Sequence, residues 1–330
     1  MTKPAFQRLS GTDALPLTLR KCVVAIGNFD GVHRGHQAVL ERALEIAERD
    51  GLPAVVLTFE PHPRSFFKPN EPVERLTDAV EKAEILRLMG FDAVVEQPFT
   101  ADFSAQSAED FVRNILVERL HANCVVTGYD FHFGKGRRGT PEFLVEAGKS
   151  SGFSVSLVDA FSDEGGNVVS STRIRALLCE GEVAEAAGLL GYRYRVSGEV
   201  IHGKKLGRTL GFPTANMTID DHVSMKHGIY AVRFRRADGS LHDGVASFGR
   251  RPTVDSDGKP LLETFVFDFS GDLYGEVAEV SFFGYLRGEI KFDGLDPLIV
   301  QMKRDEEEAR TILAGAQPIS ALDRLLSFPA

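Results

Sequence analysis

The chain has 330 residues, with 38 Lys+Arg against 47 Asp+Glu and a formal net charge of −9. That length suits two domains, and 43% hydrophobic with 26% charged residues excludes extended disorder, collagen and coiled coil. The negative balance removes the global positive field of a nucleic-acid binder, and no apolar run approaches the ~18 residues that span a bilayer. Cys22, Cys124 and Cys179 form no CxxC pair and give neither a disulfide framework nor a thiolate zinc site. Residues 1–20 carry no apolar h-region. A cytoplasmic chain is expected, without nucleic-acid or membrane partners and with self-association left open.

Taken in chain order, Lys21 to Gly27 (KCVVAIG) is an apolar run ending at glycine, suited to a buried parallel strand. His36 to Asp50 sets Val39, Leu40, Ala43, Leu44, Ile46 and Ala47 at helical spacing, with Gly51 as a stop. Leu52–Phe59 reads as a strand, Leu76–Met89 as a helix, Asp92–Val95 as a strand, Ala108–Leu120 as a helix and Cys124–Thr127 as a strand. This alternation predicts a Rossmann-like α/β domain with helices on both faces of a parallel sheet, whose ligands bind at the carboxyl ends of the strands. A helix is expected over Arg173 to Leu190.

The pattern changes near Gly191. Tyr194–Ile201, Gly228–Phe234, Leu241–Ala246, Leu262–Phe269 and Val277–Phe283 read as strands, with a hairpin turn at Ala237-Asp238-Gly239-Ser240. Leu295–Leu313 follows at helical spacing. An antiparallel sheet or a small antiparallel β-barrel, with a C-terminal helix, is expected, and the domains are drawn as residues 1–187 and 188–330.

Gly27 to His36 (GNFDGVHRGH) lies between a predicted strand and a predicted helix, where a phosphate-binding loop belongs. Two imidazoles there, His33 and His36, can hold polyphosphate oxygens and charge developing on a transferred phosphoryl group. An isolated HxxH would equally describe two exposed loop histidines or, less well, a metal pair. No Walker A pattern occurs. Gly128 to Gly139 (GYDFHFGKGRRG) alone would read as a solvated basic loop. Ser170 to Arg175 (SSTRIR) sets Ser171 and Arg175 one helical turn apart, able to face one anion, although helix capping also explains the serines.

In the second half, Gly203 to Asn216 (GKKLGRTLGFPTAN) is a basic glycine-rich loop able to fold over phosphates. Thr214 and Asn216 follow with hard oxygen donors suited to Mg²⁺. Period-two alternation puts Glu263 on a face with Leu261, Phe265, Phe267 and Phe269. A carboxylate among aromatic rings has its pKa raised, which suits a general base; a Glu satisfied by Arg or backbone N–H, or turned out by a bulge, stays open.

GNFDGVHRGH, TFEPHPR (Thr58 to Arg64), GYDFHFGKGRRG and SSTRIR resemble, in order, the adenylyltransferase module of bacterial bifunctional riboflavin kinase/FAD synthetases, an HxGH nucleotidyltransferase. GKKLGRTLGFPTAN, GVASFGRRPTV (Gly244 to Val254) and ETFVFDFSGDLYG (Glu263 to Gly275) resemble the kinase module of the same enzymes. The resemblance runs from about Lys21 to Leu313. Phe265 stands where a histidine is common and Ser247 where an asparagine is usual.

The resemblance implies two reactions: riboflavin and ATP give FMN and ADP, and FMN with a second ATP gives FAD and pyrophosphate. It implies that Gly27, Phe29, Asp30, His33, His36, Ser171, Thr172 and Arg175 bind the adenylyl-donating ATP. Asp130, Phe131 and Phe133 would lie near the flavin or the nucleotide. Gly203, Lys204, Gly207, Thr214 and Asn216 would bind the kinase ATP with Mg²⁺, with Glu263 as base and Arg287 on the flavin side.

Overall fold

The computed structural model describes residues 5–203, 211–220, 223–250 and 260–329, in two compact units, Met1–Ser170 and Ser171–Ala330. The first is a six-stranded parallel sheet: β1 (Gln7–Ser10), β2 (Val23–Ile26), β3 (Ala54–Glu60), β4 (Ala93–Pro98), β5 (Cys124–Gly128) and β6 (Ser154–Val158), in the order β1-β4-β3-β2-β5-β6. β2 is buried along its whole length, as an uninterrupted apolar run requires when helices cover both faces. Helices α1 (Arg34–Asp50), α2 (Pro63–Phe67), α3 (Ala79–Met89), α4 (Ala101–Ser104), α5 (Ala108–Asp110) and α6 (Pro141–Ser151) belong to this unit. α1 buries Val39, Leu40, Ala43, Ile46 and Ala47, the predicted stripe apart from Leu44, and ends at Gly51 in the left-handed conformation.

Three details differ from the sequence reading. The helix expected from Leu76 begins at Ala79, capped by Asp78, and the Leu76 and Thr77 N–H groups before it donate to Asp30. The helix expected over 108–120 is α-helical only to Asp110 and π-helical over Phe111–Arg119. Strands β1 and β6 extend the sheet at both edges beyond the strands that the sequence suggested.

The second unit opens with α7 (Ser171–Glu180) and α8 (Val183–Leu190), where one helix was expected; Gly181 at φ 85° ends the first. Six antiparallel strands then close a barrel: β7 (Arg195–Ile201), β8 (Thr214–Thr218), β9 (Gly228–Arg235), β10 (Leu241–Arg250), β11 (Pro260–Val266) and β12 (Val277–Arg287). Met217, Tyr230, Phe248, Leu262 and Phe282 are buried in this unit's strands. Helices α9 (Leu295–Gly315) and α10 (Ala321–Ser327) close the chain. Ala309 and Leu313 of α9 and Phe328 just after α10 pack with Phe267 and Phe283 in a second apolar cluster.

Candidate active sites

In the first unit, β2 has β3 on one side and β5 on the other. β3 follows it through α1, whereas β5 is reached later in the chain, so the strand order reverses at β2. That is the topological switch point where ligands of open α/β sheets bind, and the GNFDGVHRGH loop leaves β2 there. Gly31 adopts φ 82°, a conformation that side chains rarely take, and an added Cβ would lie 2.7 Å from Leu76 Cδ1. Phe29 and Val32 also have positive φ, 48° and 36°, strain of the kind stored at functional sites. The Phe29 ring covers Gly27, whose added Cβ would fall 2.9 Å from it.

His33 caps α1: its Nδ1 accepts the His36 N–H at 3.3 Å. The two imidazoles stack with ring centroids 3.6 Å apart, and Phe29 meets His36 edge-on at 5.4 Å. The His36 Nδ1 is fully enclosed and has no hydrogen-bond partner among the described residues. Burial, and then the neighbouring His33 and Lys82 charges, hold His36 well below its ordinary pKa. At neutral pH His36 is therefore an uncharged imidazole, able to donate one N–H to an anion at the helix N-terminus. Asp30 is buried, and its Oδ1 accepts the N–H groups of Leu76 at 2.9 Å and Thr77 at 3.3 Å. That bond ties the loop to the segment leading into α3.

Sequence reading missed the residue beneath this loop. Lys82, on α3 and only 6% exposed in its side chain, donates to the Asn28 carbonyl at 3.0 Å. Burial pushes its ammonium pKa down, opposed by Glu60 and Asp30. Nothing in the helical pattern of Leu76–Met89 separates Lys82 from a solvated lysine.

Of the loop after β5, Asp130 is exposed, Phe131 is half-buried, and Phe133 is 7% exposed and part of the core. Phe131 stacks on Phe133 with centroids 5.4 Å apart, and Phe133 in turn meets Phe111 at 5.1 Å. Ser171, Thr172 and Arg175 lie on α7, at the start of the second unit.

In the second unit, the barrel register sets the geometry. Glu263 on β11 stands opposite Asn216 on β8 and Ser247 on β10. Ser247 stands opposite Ile229 on β9, and Ile229 opposite Arg287 on β12. Directly opposed residues share a face with Cβ atoms about 5 Å apart, so Asn216, Glu263 and Ser247 belong to one row running around the barrel, while Arg287 meets Ile229 just past a β-bulge between Tyr285 and Arg287. The alternation of β11 is as expected, with Leu261, Glu263 and Phe265 on one face. That face is the half-buried one, however, while Leu262, Thr264 and Val266 on the opposite face are buried. Ser247, one of the two departures from the family pattern, is therefore a neighbour of Glu263, and Phe265 sits two residues along its face.

The Asn216 amide donates to the Thr214 carbonyl at 3.2 Å. Gly203 lies so close that an added Cβ would stand 2.5 Å from the Asn216 amide nitrogen. Lys204 and Gly207 lie outside the described residues. Arg287 forms a bidentate pair with Asp305 of α9, at 2.9 and 2.6 Å, and Gln301 donates to the same carboxylate at 2.9 Å. Its guanidinium thus bonds α9, an arrangement that the acidic run of α9 did not reveal. No group of three His, Cys, Asp or Glu able to hold a metal occurs among the described residues. The neutral oxygens of Thr214 and Asn216 beside a carboxylate do fit Mg²⁺, which keeps its waters and takes much of its coordination from substrate phosphates.

Comparison with known proteins agrees with this division. The family model described as FAD synthetase matches residues 16–173, and that described as riboflavin kinase matches residues 190–313. A bifunctional riboflavin kinase/FMN adenylyltransferase of Listeria monocytogenes is 42% identical over 297 residues, covering 88% of this chain and 92% of that protein. Its counterpart in Haemophilus influenzae is 40% identical over 304 residues, covering 92% and 98%. A crystal structure described as a macrolide-efflux protein from Streptococcus pneumoniae aligns with a TM-score of 0.81 at 32% identity, over 92% of this chain and 98% of that one. In this chain no helix among the described residues is long and apolar enough to cross a membrane.

Proposed function

The chain belongs to the bifunctional riboflavin kinase/FMN adenylyltransferase family, and we propose from that premise how its residues share the two reactions. The enzyme phosphorylates riboflavin with ATP to give FMN and ADP, then adenylylates FMN with a second ATP to give FAD and pyrophosphate. Residues 1–187 are assigned the adenylyl transfer and residues 188–330 the phosphorylation.

For the kinase, the observation that carries the reading is the row Asn216–Glu263–Ser247 around the barrel. It sets a carboxylate beside an amide on the strand that follows the glycine-rich segment. Glu263 takes the proton of the riboflavin 5′-hydroxyl as its oxygen attacks the γ-phosphorus of ATP, and ADP leaves. Thr214 and Asn216 would hold Mg²⁺, which supplies charge neutralisation on the phosphates. Gly203, with Lys204 and Gly207 beyond it, is assigned to the phosphates. Arg287, fixed by Asp305, orients the flavin side.

For the adenylyl transfer, His33 and His36 receive the triphosphate at the α1 N-terminus, with Gly27, Phe29 and Asp30 shaping the turn. Ser171, Thr172 and Arg175 are assigned to ATP from the resemblance of the SSTRIR block alone, and Asp130, Phe131 and Phe133 to the flavin or nucleotide. An FMN phosphate oxygen attacks the α-phosphorus and pyrophosphate leaves. That nucleophile is already anionic, so no base is needed. His36 contributes a hydrogen bond at the N-terminus of α1, while Arg175 contributes charge. The enzyme acts in the cytoplasm on small molecules, without a nucleic-acid partner.

Incubation with riboflavin, ATP and Mg²⁺, followed by chromatography of the products, tests the assignment. FMN and ADP are expected first, then FAD and pyrophosphate. Accumulation of FMN with no pyrophosphate would remove the role given to the first unit.

A further inference from the structure

The Asn28 carbonyl, at the entrance of the GNFDGVHRGH turn, is held by two donors from two elements. Thr58 Oγ1 of β3 reaches it at 3.1 Å and Lys82 Nζ of α3 at 3.0 Å. Lys82 also donates to Thr58 Oγ1 at 3.4 Å and to Glu60 Oε1 at 3.3 Å. Charge balance alone does not account for it, because Glu60 already has Arg75 on its other oxygen at 2.6 Å. A lysine taken out of water needs good partners to persist, and the shortest of its contacts is the loop carbonyl. The next residue, Phe29, has a positive φ of 48° and sets its ring edge-on to His36.

We propose that Lys82 is a positioning residue for adenylyl transfer: it fixes the Asn28 carbonyl and so the turn that seats Phe29 against His36. It also couples the TFEPHPR block to the histidine loop, since Thr58 and Glu60 of that block share its ammonium. This inference rests on His33 and His36 being the phosphate contacts.

The test uses the full chain, which carries its own control in the kinase reaction. Lys82→Met is expected to lower kcat/KM for FAD formation from supplied FMN roughly 10- to 100-fold, the scale of a displaced positioning loop, while riboflavin phosphorylation stays within about twofold. Lys82→Arg, which keeps a cationic donor, is expected to recover most of the loss. If Lys82→Met unfolds the first unit, Thr58→Val removes the second donor to the same carbonyl and is expected to give the same selective pattern more weakly. A Lys82→Met protein with lowered melting temperature but normal FAD formation, measured well below that temperature, would overturn the inference. Equal loss of both reactions would also overturn it. His36→Ala separates the two levels: if it too leaves FAD formation intact, the histidine site is wrong; if it abolishes FAD formation while Lys82→Met does not, only the role of Lys82 is lost.

Discussion

Glu263→Gln is the sharpest probe of the kinase assignment, because it keeps the shape of the side chain and removes only its basicity. A positioned general base contributes about 10²- to 10⁴-fold, so the substitution is expected to raise the barrier to FMN formation by about 2.7–5.4 kcal/mol. Proton transfer belongs to the transition state, so kcat should carry the loss with KM for riboflavin little changed. Folding should be nearly unaffected. Glu263 lies on the half-buried face of β11, its backbone is paired on both sides by β8 and β10, and Gln keeps the volume of the side chain there. The assay follows FMN from riboflavin and, separately, FAD from supplied FMN. FAD formation from FMN should be untouched. FMN formation within threefold of the unsubstituted enzyme would refute Glu263 as the base, and loss of both reactions in a folded protein would refute the two-site division.

Asp305→Ala should destabilise the second unit by about 3 kcal/mol, since it strands the Arg287 guanidinium, only 17% exposed, without its carboxylate. Tyrosine fluorescence in urea reports this selectively, because five of the six tyrosines (Tyr192, Tyr194, Tyr230, Tyr274 and Tyr285) lie in that unit. Gly31→Ala should cost the first unit about 1–3 kcal/mol through its positive φ and the buried Leu76 side chain, and it should depress FAD formation while sparing FMN formation. For His36, the folded pKa lies below the unfolded one near 6.5. The unfolded chain therefore binds the extra proton as pH falls below about 6.5, and the first unit loses up to ~1.4 kcal/mol per pH unit there. His36→Gln should flatten the acid limb of its stability, followed by urea denaturation at several pH values; an unchanged slope would contradict a neutral imidazole in the folded unit.

What could be read from the sequence was whatever repeats or fills a face. β2 is legible because a strand buried on both sides must be apolar throughout, and the α1 stripe because one face of a helix must be. β1 and β6 were missed because QRLS and SVSLV are half-polar edge segments with no such pattern. β8 was missed because Ala215, Asn216 and Met217 are all buried, so period two disappears from a strand that carries a functional amide. The alternation of β11 was legible, yet not which face points inward: its two apolar faces look alike until the barrel closes and α9 joins the outer apolar cluster. Lys82 and Asp305 are the deeper failures. Each sits in a helix where lysine or aspartate ordinarily faces water, and each is held inward by partners outside its own helix, Asn28, Thr58 and Glu60 in one case and Arg287 in the other. A contact of that kind leaves no trace in local spacing. Motif blocks therefore identify the groups that meet the substrate, whereas the groups that hold those blocks in place emerge only once the chain has folded.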